Sequence, residues 1–242
     1  LRYRLLMELT PTTYGAKMRL TNRSQNAMGL QLQSISEEKL TFDILHEAKQ
    51  IRLTLDQAVN DGQSTLKLHE ILDFDQDAQQ ISFDTETQTV MWHNVVSNVS
   101  EVSISTSFIS MDQAQLNLER DLLGVDFNEL CNQTAQAWEQ HLELIEVEDR
   151  DQAKVQAFDQ YLYRLFLFPQ TFYELDVHHQ PVHFDVYSET VKPGKFFTNN
   201  GYWDTYKTVY PFYSLFLPEL YQDMLEGIQH FYQESGHLPK WM

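Results

Sequence analysis

One cysteine in 242 residues excludes an internal disulfide framework and any cysteine-rich metal site. Cys131 falls on the apolar side of a predicted helix, where a small buried hydrophobe is expected. Basic residues are scarce as well: 17 Lys and Arg stand against 35 Asp and Glu, a formal charge of -18. That balance speaks against a nucleic-acid partner, because phosphate-backbone binders concentrate cations. No apolar run approaches the width of a bilayer and no basic-apolar leader opens the chain, so no membrane partner is expected. The compartment, cytoplasmic or secreted, is not legible. Among only 8 glycines there is no phosphate-cradling loop, and a Gly-x-Ser-x-Gly elbow is missing.

What is present is a core-forming composition, 42% hydrophobic and 13% aromatic, which argues against disorder. The chain opens in strand-like patterns. Tyr3–Leu9, Ala16–Thr21, Leu30–Ile35, Ile51–Leu55, Ser64–His69, Ile81–Phe83 and Val99–Ile109 lie between turn clusters. Those clusters are Asn22–Asn26, Asn60-Asp61-Gly62 and Asp73–Asp77. Period-two alternation predicts antiparallel strands in a β-sandwich over residues 1–110.

At Met111 the period changes. Asp112 is a candidate cap for a helix through Leu123, with Gly124 ending it. Asp126 caps a second helix, whose stripe Leu130, Thr134, Trp138, Leu142 and Ile145 is a packing face. Together these are linker helices over 111–150. A third helix follows, with Val155, Phe158, Leu162 and Leu165 inward and Pro169 as its stop. From Gln170 to Gly201 the sequence predicts a long loop. His178, His179 and His183 lie in it without metal spacing and are expected to face solvent. Two further helices complete the chain, the later one with Pro218 at its start and Gly236 at its end. All-β precedes all-α.

The segment that carries chemistry is Thr198–Met242, where Trp203-Asp204-Thr205-Tyr206-Lys207 precedes Leu238-Pro239-Lys240-Trp241. From spacing alone, Asp204 is either the cap of a helix beginning at Thr205 or a ligand group. Trp203 is either packing or a sugar-stacking face. Carboxylate pairs are too numerous among 35 acids for a catalytic acid and base to be chosen.

This combination resembles glycoside hydrolase family 92, the calcium-dependent exo-α-mannosidases. Met7–Thr12 with Ala16–Leu20, Gln113–Leu118, Trp138–Leu142 and Phe158–Arg164 also resemble family segments, in the family's order. The resemblance implies a β-sandwich, then linker helices, then the start of an (α/α)6 barrel over 151–242. It implies an inverting exo-α-mannosidase, α-1,2-directed, acting on mannose-containing oligosaccharides. It makes Asp204 and Trp203 sugar contacts, with Lys207 standing where many members carry Arg. Arg offers a planar pair of hydrogen bonds and Lys a single mobile charge, so Lys207 fits a salt bridge equally well. The catalytic carboxylates and the ligands of Ca2+ are expected beyond Met242, in the remainder of the same polypeptide. Two other readings are a non-catalytic carbohydrate-binding or interaction module, and another sandwich-plus-(α/α)6 glycosidase or phosphorylase.

Overall fold

The computed structural model describes residues 4–24, 28–33, 40–45, 49–59, 64–75, 80–84, 87, 89–94 and 98–241. The Asn60-Asp61-Gly62 turn lies outside the described residues, as do parts of the Asn22–Asn26 and Asp73–Asp77 clusters and of the Tyr3–Leu9 and Leu30–Ile35 runs. Two compact units divide the chain at Thr134.

In the first unit the expected alternation gives antiparallel strands. They are β1 (Leu5–Pro11), β2 (Gly15–Asn22), β3 (Met28–Gln33), β4 (Leu40–Leu45), β5 (Gln50–Val59), β6 (Ser64–Phe74), β7 (Gln80–Asp84), β8 (Thr89–Asn94) and β9 (Val99–Ser107). A six-stranded sheet has the order β1-β2-β9-β6-β5-β4, and a three-stranded sheet the order β3-β8-β7. Register decides which side chains are buried. Met18 lies opposite Val102 and Leu72 opposite Ile104, so these residues share one face. That face packs with Val90 and Trp92 of the smaller sheet, and Trp92 stacks on Phe74 at 4.7 Å. Ile71 points the other way, onto Ala114, Leu118, Leu122 and Leu130.

Those last residues belong to α1 (Met111–Asp121) and α2 (Phe127–Leu142), with Leu122 just past α1. Ser110, not Asp112, caps α1: its hydroxyl accepts from the Gln113 N–H, two residues earlier than the sequence suggested. Gly124 adopts φ 77° just beyond the helix. Asp126 caps α2 as expected, accepting from the N–H groups of Asn128 and Glu129. Cys131 is a free thiol that is only partly buried, not the core residue expected.

The second unit holds α3 (Gln152–Leu165), capped by the Asp151 carboxylate through the Ala153 N–H. The predicted loop from 170 to 201 is instead about half β structure. It contains β10 (Gln170–Thr171), β11 (Glu174–Leu175), β12 (Pro181–Asp185), β13 (Thr190–Pro193) and β14 (Phe197–Thr198). Turn residues mask it in the sequence: strands of two to five residues are too short to show a period. Three helices follow, α4 (Tyr202–Thr205), α5 (Val209–Phe216) and α6 (Pro218–Ser235). Pro218 opens α6, and Gly236 closes it at φ 77°. Phe197, Tyr210, Tyr213 and Met224 form the core of this unit. Leu215, Leu225 and Tyr232 stay exposed, and the described helices do not close into a barrel.

Candidate functional site

The Trp-Asp segment sits on a tight turn between β14 and α5. Asn199 takes φ 56°, a left-handed conformation that Asn tolerates better than most residues. Its side-chain amide donates to Gln170 Oε1. Asn200 is 2% exposed and donates from Nδ2 to the Tyr210 hydroxyl at 2.5 Å. Gly201 precedes α4 and receives backbone bonds from the N–H groups of Asp204 and Thr205, at 3.0 and 3.2 Å.

Asp204 therefore lies inside α4 and does not cap a helix at Thr205. Its carbonyl accepts from the Thr208 hydroxyl at 2.8 Å. Its carboxylate is exposed and has no hydrogen-bond or ion-pair partner among the described residues. Trp203 is 63% exposed. Trp241, from the Leu-Pro-Lys-Trp segment, meets it edge to face at 6.3 Å and is equally exposed. The fold thus brings together two motifs that are well separated in sequence. Trp203 and Asp204 are neighbours on one helical turn, so their side chains diverge by about 100°. Lys207 lies past the end of α4, exposed, with Nζ 5.1 Å from the centre of the Tyr206 ring. It makes no ion pair among the described residues.

Beneath this turn the surroundings are aromatic. Tyr202 meets Tyr210 at 6.4 Å and Tyr210 meets Tyr221 at 5.4 Å. Burial raises the hydroxyls of Tyr202, Tyr210 and Tyr213, those of Tyr210 and Tyr213 to about 12. These phenols are neutral donors and acceptors, not acid–base groups. Sequence reading missed Asn200 and Tyr210 as the supports of the turn. The Asn199-Asn200-Gly201 cluster signals a turn in the sequence, but not which of its side chains turns inward.

The histidines of the 170–201 segment part company. His178 and His179 are exposed on a turn held by the Asp176 carboxylate. His183, expected in solvent, is fully buried on β12. Its Nδ1 meets the Gly194 carbonyl and its Nε2 the Glu234 carboxylate, each at 3.0 Å, while its ring stacks on Phe196 at 4.6 Å. A concavity of about 420 Å³ lies near it, lined by Asp185, Ser188, Lys192, Pro193, His230, Gln233 and Glu234. Neither Trp203, Asp204 nor Lys207 borders that concavity. Its lining mixes both charges without a converging set, and the exposed Trp-Asp turn is the better chemical candidate. Among the described residues no group of three or more His, Cys, Asp or Glu can hold a metal ion. No described helix is long and apolar enough to cross a membrane.

Residues 113–242 match the model of the glycosyl hydrolase family 92 catalytic domain. No curated protein gives a significant match. Among solved structures, a family GH92 inverting mannosidase from Bacteroides thetaiotaomicron VPI-5482 superposes with a TM-score of 0.88 at 23% identity, over 98% of this chain and 34% of that one. A family GH92 α-mannosidase from Bacteroides thetaiotaomicron, solved with mannoimidazole, gives 0.77 at 19% identity over 98% and 34%. Another family GH92 glycosyl hydrolase gives 0.79 at 12% identity over 96% and 33%. These likenesses concern the fold, and the chain spans about a third of the length of the structures it matches.

Proposed function

The chain belongs to glycosyl hydrolase family 92, and from that premise we propose that the protein is an exo-acting, inverting α-mannosidase. Its substrate is the terminal, α-1,2-linked mannose of an oligosaccharide. The observation that carries the reading is an exposed carboxylate, Asp204, without a partner among the described residues, beside an exposed indole, Trp203, on a turn whose inner side is buried and bonded. A terminal sugar offers hydroxyl donors and an apolar ring face. Asp204 accepts from the hydroxyls and Trp203 covers the ring. Lys207, already resting near Tyr206, is a mobile charge at the rim.

Inversion needs one carboxyl to protonate the leaving oxygen and another to activate water on the opposite face of the ring. Neither role is assigned to a residue of this chain. The reading takes both carboxyls from the remainder of the polypeptide, which also completes the (α/α)6 barrel begun here. No group of three or more Asp, Glu, His or Cys among the described residues offers a site for Ca2+, and its ligands belong, on this reading, to the remainder of the polypeptide. In the complete protein, chelation abolishing turnover and calcium restoring it is the expected result.

The direct test is Asp204→Ala in the complete protein, assayed on an aryl α-mannoside. Loss of a hydrogen-bonded charged contact predicts a fall of about 10²-fold or more in kcat/KM with the melting temperature retained. Near-parental turnover would refute the assignment. The exposed Trp203, Tyr206 and Trp241 also suit a module that binds sugar without cleaving it. Saturable mannoside binding by the complete protein without any hydrolysis would favour that reading. Turnover that requires inorganic phosphate would favour a phosphorylase.

A further inference from the structure

The segment that leaves α6 at Gly236 turns back and reaches the Trp-Asp turn. Its backbone is fixed there by the isolated bridge between Trp241 and Gly201, and by the Tyr202 N–H donating to the Lys240 carbonyl. Atoms of the six-membered ring of Trp241 lie over Gly201. Even so, Trp241 is 63% exposed, as is Trp203 beside it.

A large apolar ring is ordinarily withdrawn from water. Here two are held side by side in the open, next to the exposed carboxylate of Asp204. Such a surface is part apolar and part hydrogen-bonding, the mark of a binding site more than of a packing defect. It matches a pyranose, whose C–H faces are apolar and whose hydroxyls are donors. A rigid indole on a fixed backbone also loses little freedom when a ligand docks.

The geometry sets how many sugar rings the pair can hold. Trp203 and Trp241 meet at an interplanar angle of 77°, with ring centres 6.3 Å apart. One flat ring cannot lie parallel to both. With Trp203 covering the terminal mannose, Trp241 is left for a second ring. For an exo-acting enzyme, the neighbour of the terminal ring is the sugar on the leaving side. An α-mannosidic bond leaves its ring axially, so the two rings it joins are steeply inclined, as the two indoles are.

We propose that Trp241 is a specificity-determining contact, whose indole carries the leaving-side sugar of an α-linked mannose pair. The proposal rests on the reading of Trp203 and Asp204 as contacts of the terminal sugar.

The test uses the complete protein with α-1,2-mannobiose and α-mannosyl fluoride as substrates. The disaccharide has a leaving-side ring and the fluoride has none. Trp241→Ala is expected to lower the ratio of kcat/KM on the disaccharide to that on the fluoride about tenfold, the scale of one aromatic contact. Trp241→Phe retains a flat ring and keeps most of that ratio. Asp204→Ala lowers kcat/KM on both substrates by a similar factor, because both present the same terminal mannose. A merely structural Trp241 would weaken both in step with a lower melting temperature, so a parental ratio in Trp241→Ala overturns the proposal. If that ratio is parental while Asp204→Ala loses both activities, the role of Trp241 falls and the site reading stands. If Asp204→Ala keeps both activities, the site reading falls and the proposal falls with it. Should Trp241→Ala fail to fold, Trp241→Leu keeps apolar bulk over Gly201 without a flat face. A lowered ratio in that variant supports the proposal and a parental ratio overturns it.

Discussion

The indole of Trp241 occupies the space that a side chain on residue 201 would need. A Cβ built on Gly201 would stand 2.4 Å from Cζ3 and 2.7 Å from Cη2 of that ring. The two residues also form an isolated antiparallel bridge, and Tyr202 donates its N–H to the Lys240 carbonyl at 3.2 Å. Gly201 has φ -91°, which any residue can adopt, so the glycine is required for room and not for conformation. Gly201→Ala must therefore push a rigid ring aside. We expect a destabilisation of about 1–3 kcal/mol, the usual scale for overpacking, and a shift in tryptophan emission. Parental emission and stability would show that Trp241 moves away freely.

Truncation of His183 is predicted to be among the costlier single changes in the second unit. His183→Ala removes a fully buried ring from between Phe196, the Gly194 carbonyl and the Glu234 carboxylate. It leaves a cavity and takes away the ring nitrogens that face the Gly194 carbonyl and the Glu234 carboxylate. A loss of about 2–4 kcal/mol is expected in chemical denaturation. A loss below about 0.5 kcal/mol, the range of ordinary surface changes, would mean that solvent reaches both acceptors.

In the first unit, Trp92 is fully buried and stacked on Phe74, and its Nε1 has no partner among the described residues. Trp92→Ala should cost about 3–5 kcal/mol through lost transfer energy and the cavity left behind. Trp92→Phe should cost clearly less, because it removes the unpaired N–H together with part of the ring. Equal losses for the two variants, measured by denaturant titration, would contradict this ordering.

Several carboxyls of the same unit carry a pH signature. Burial raises Glu70, Asp73, Asp75 and Glu101 above the usual carboxylate range, with Gln50 opposing it at Asp73 and Lys17 opposing it at Glu101. A group raised in the folded state binds its proton more tightly there. Its stabilisation is complete below the unfolded pKa and is lost as pH rises through the folded value. Glu8 and Asp176 run the other way, held low by the Arg19 guanidinium and by the Gln180 N–H. Their stabilisation is lost only as pH falls through still lower values. These raised carboxyls should therefore lift the melting temperature on going from about pH 7 to about pH 5, against an opposing loss from His69, whose imidazole is held by burial below its usual range. Glu70→Gln should flatten that slope and raise stability at neutral pH by on the order of 1 kcal/mol. An unchanged slope in the variant would show that Glu70 is hydrated.

Most of the secondary structure is legible where a repeat is long enough or an end signal specific enough. The alternation of Lys17-Met18-Arg19-Leu20 places Met18 and Leu20 inward, and both are buried. The spacing of Leu130, Thr134, Trp138 and Leu142 marks a face that is buried or partly so. Pro218 and Gly236 delimit α6 because each residue fits only one end of a helix. Where strands shrink to two residues, as in β10, β11 and β14, no period exists to read.

The sequence by itself determined a strand-rich first part followed by helices, and the presence of a Trp-Asp turn before an aromatic helix pair. These depend on residues close together in the chain, through backbone preference and the periodicity of apolar side chains. Only the tertiary structure decided that His183 is sealed while His178 and His179 face water, that Trp241 closes over Gly201, and that the Asn200 amide reaches the Tyr210 hydroxyl. Each of these is a meeting of side chains brought together by packing. Local sequence specifies which groups are available, and the folded core selects which of them touch.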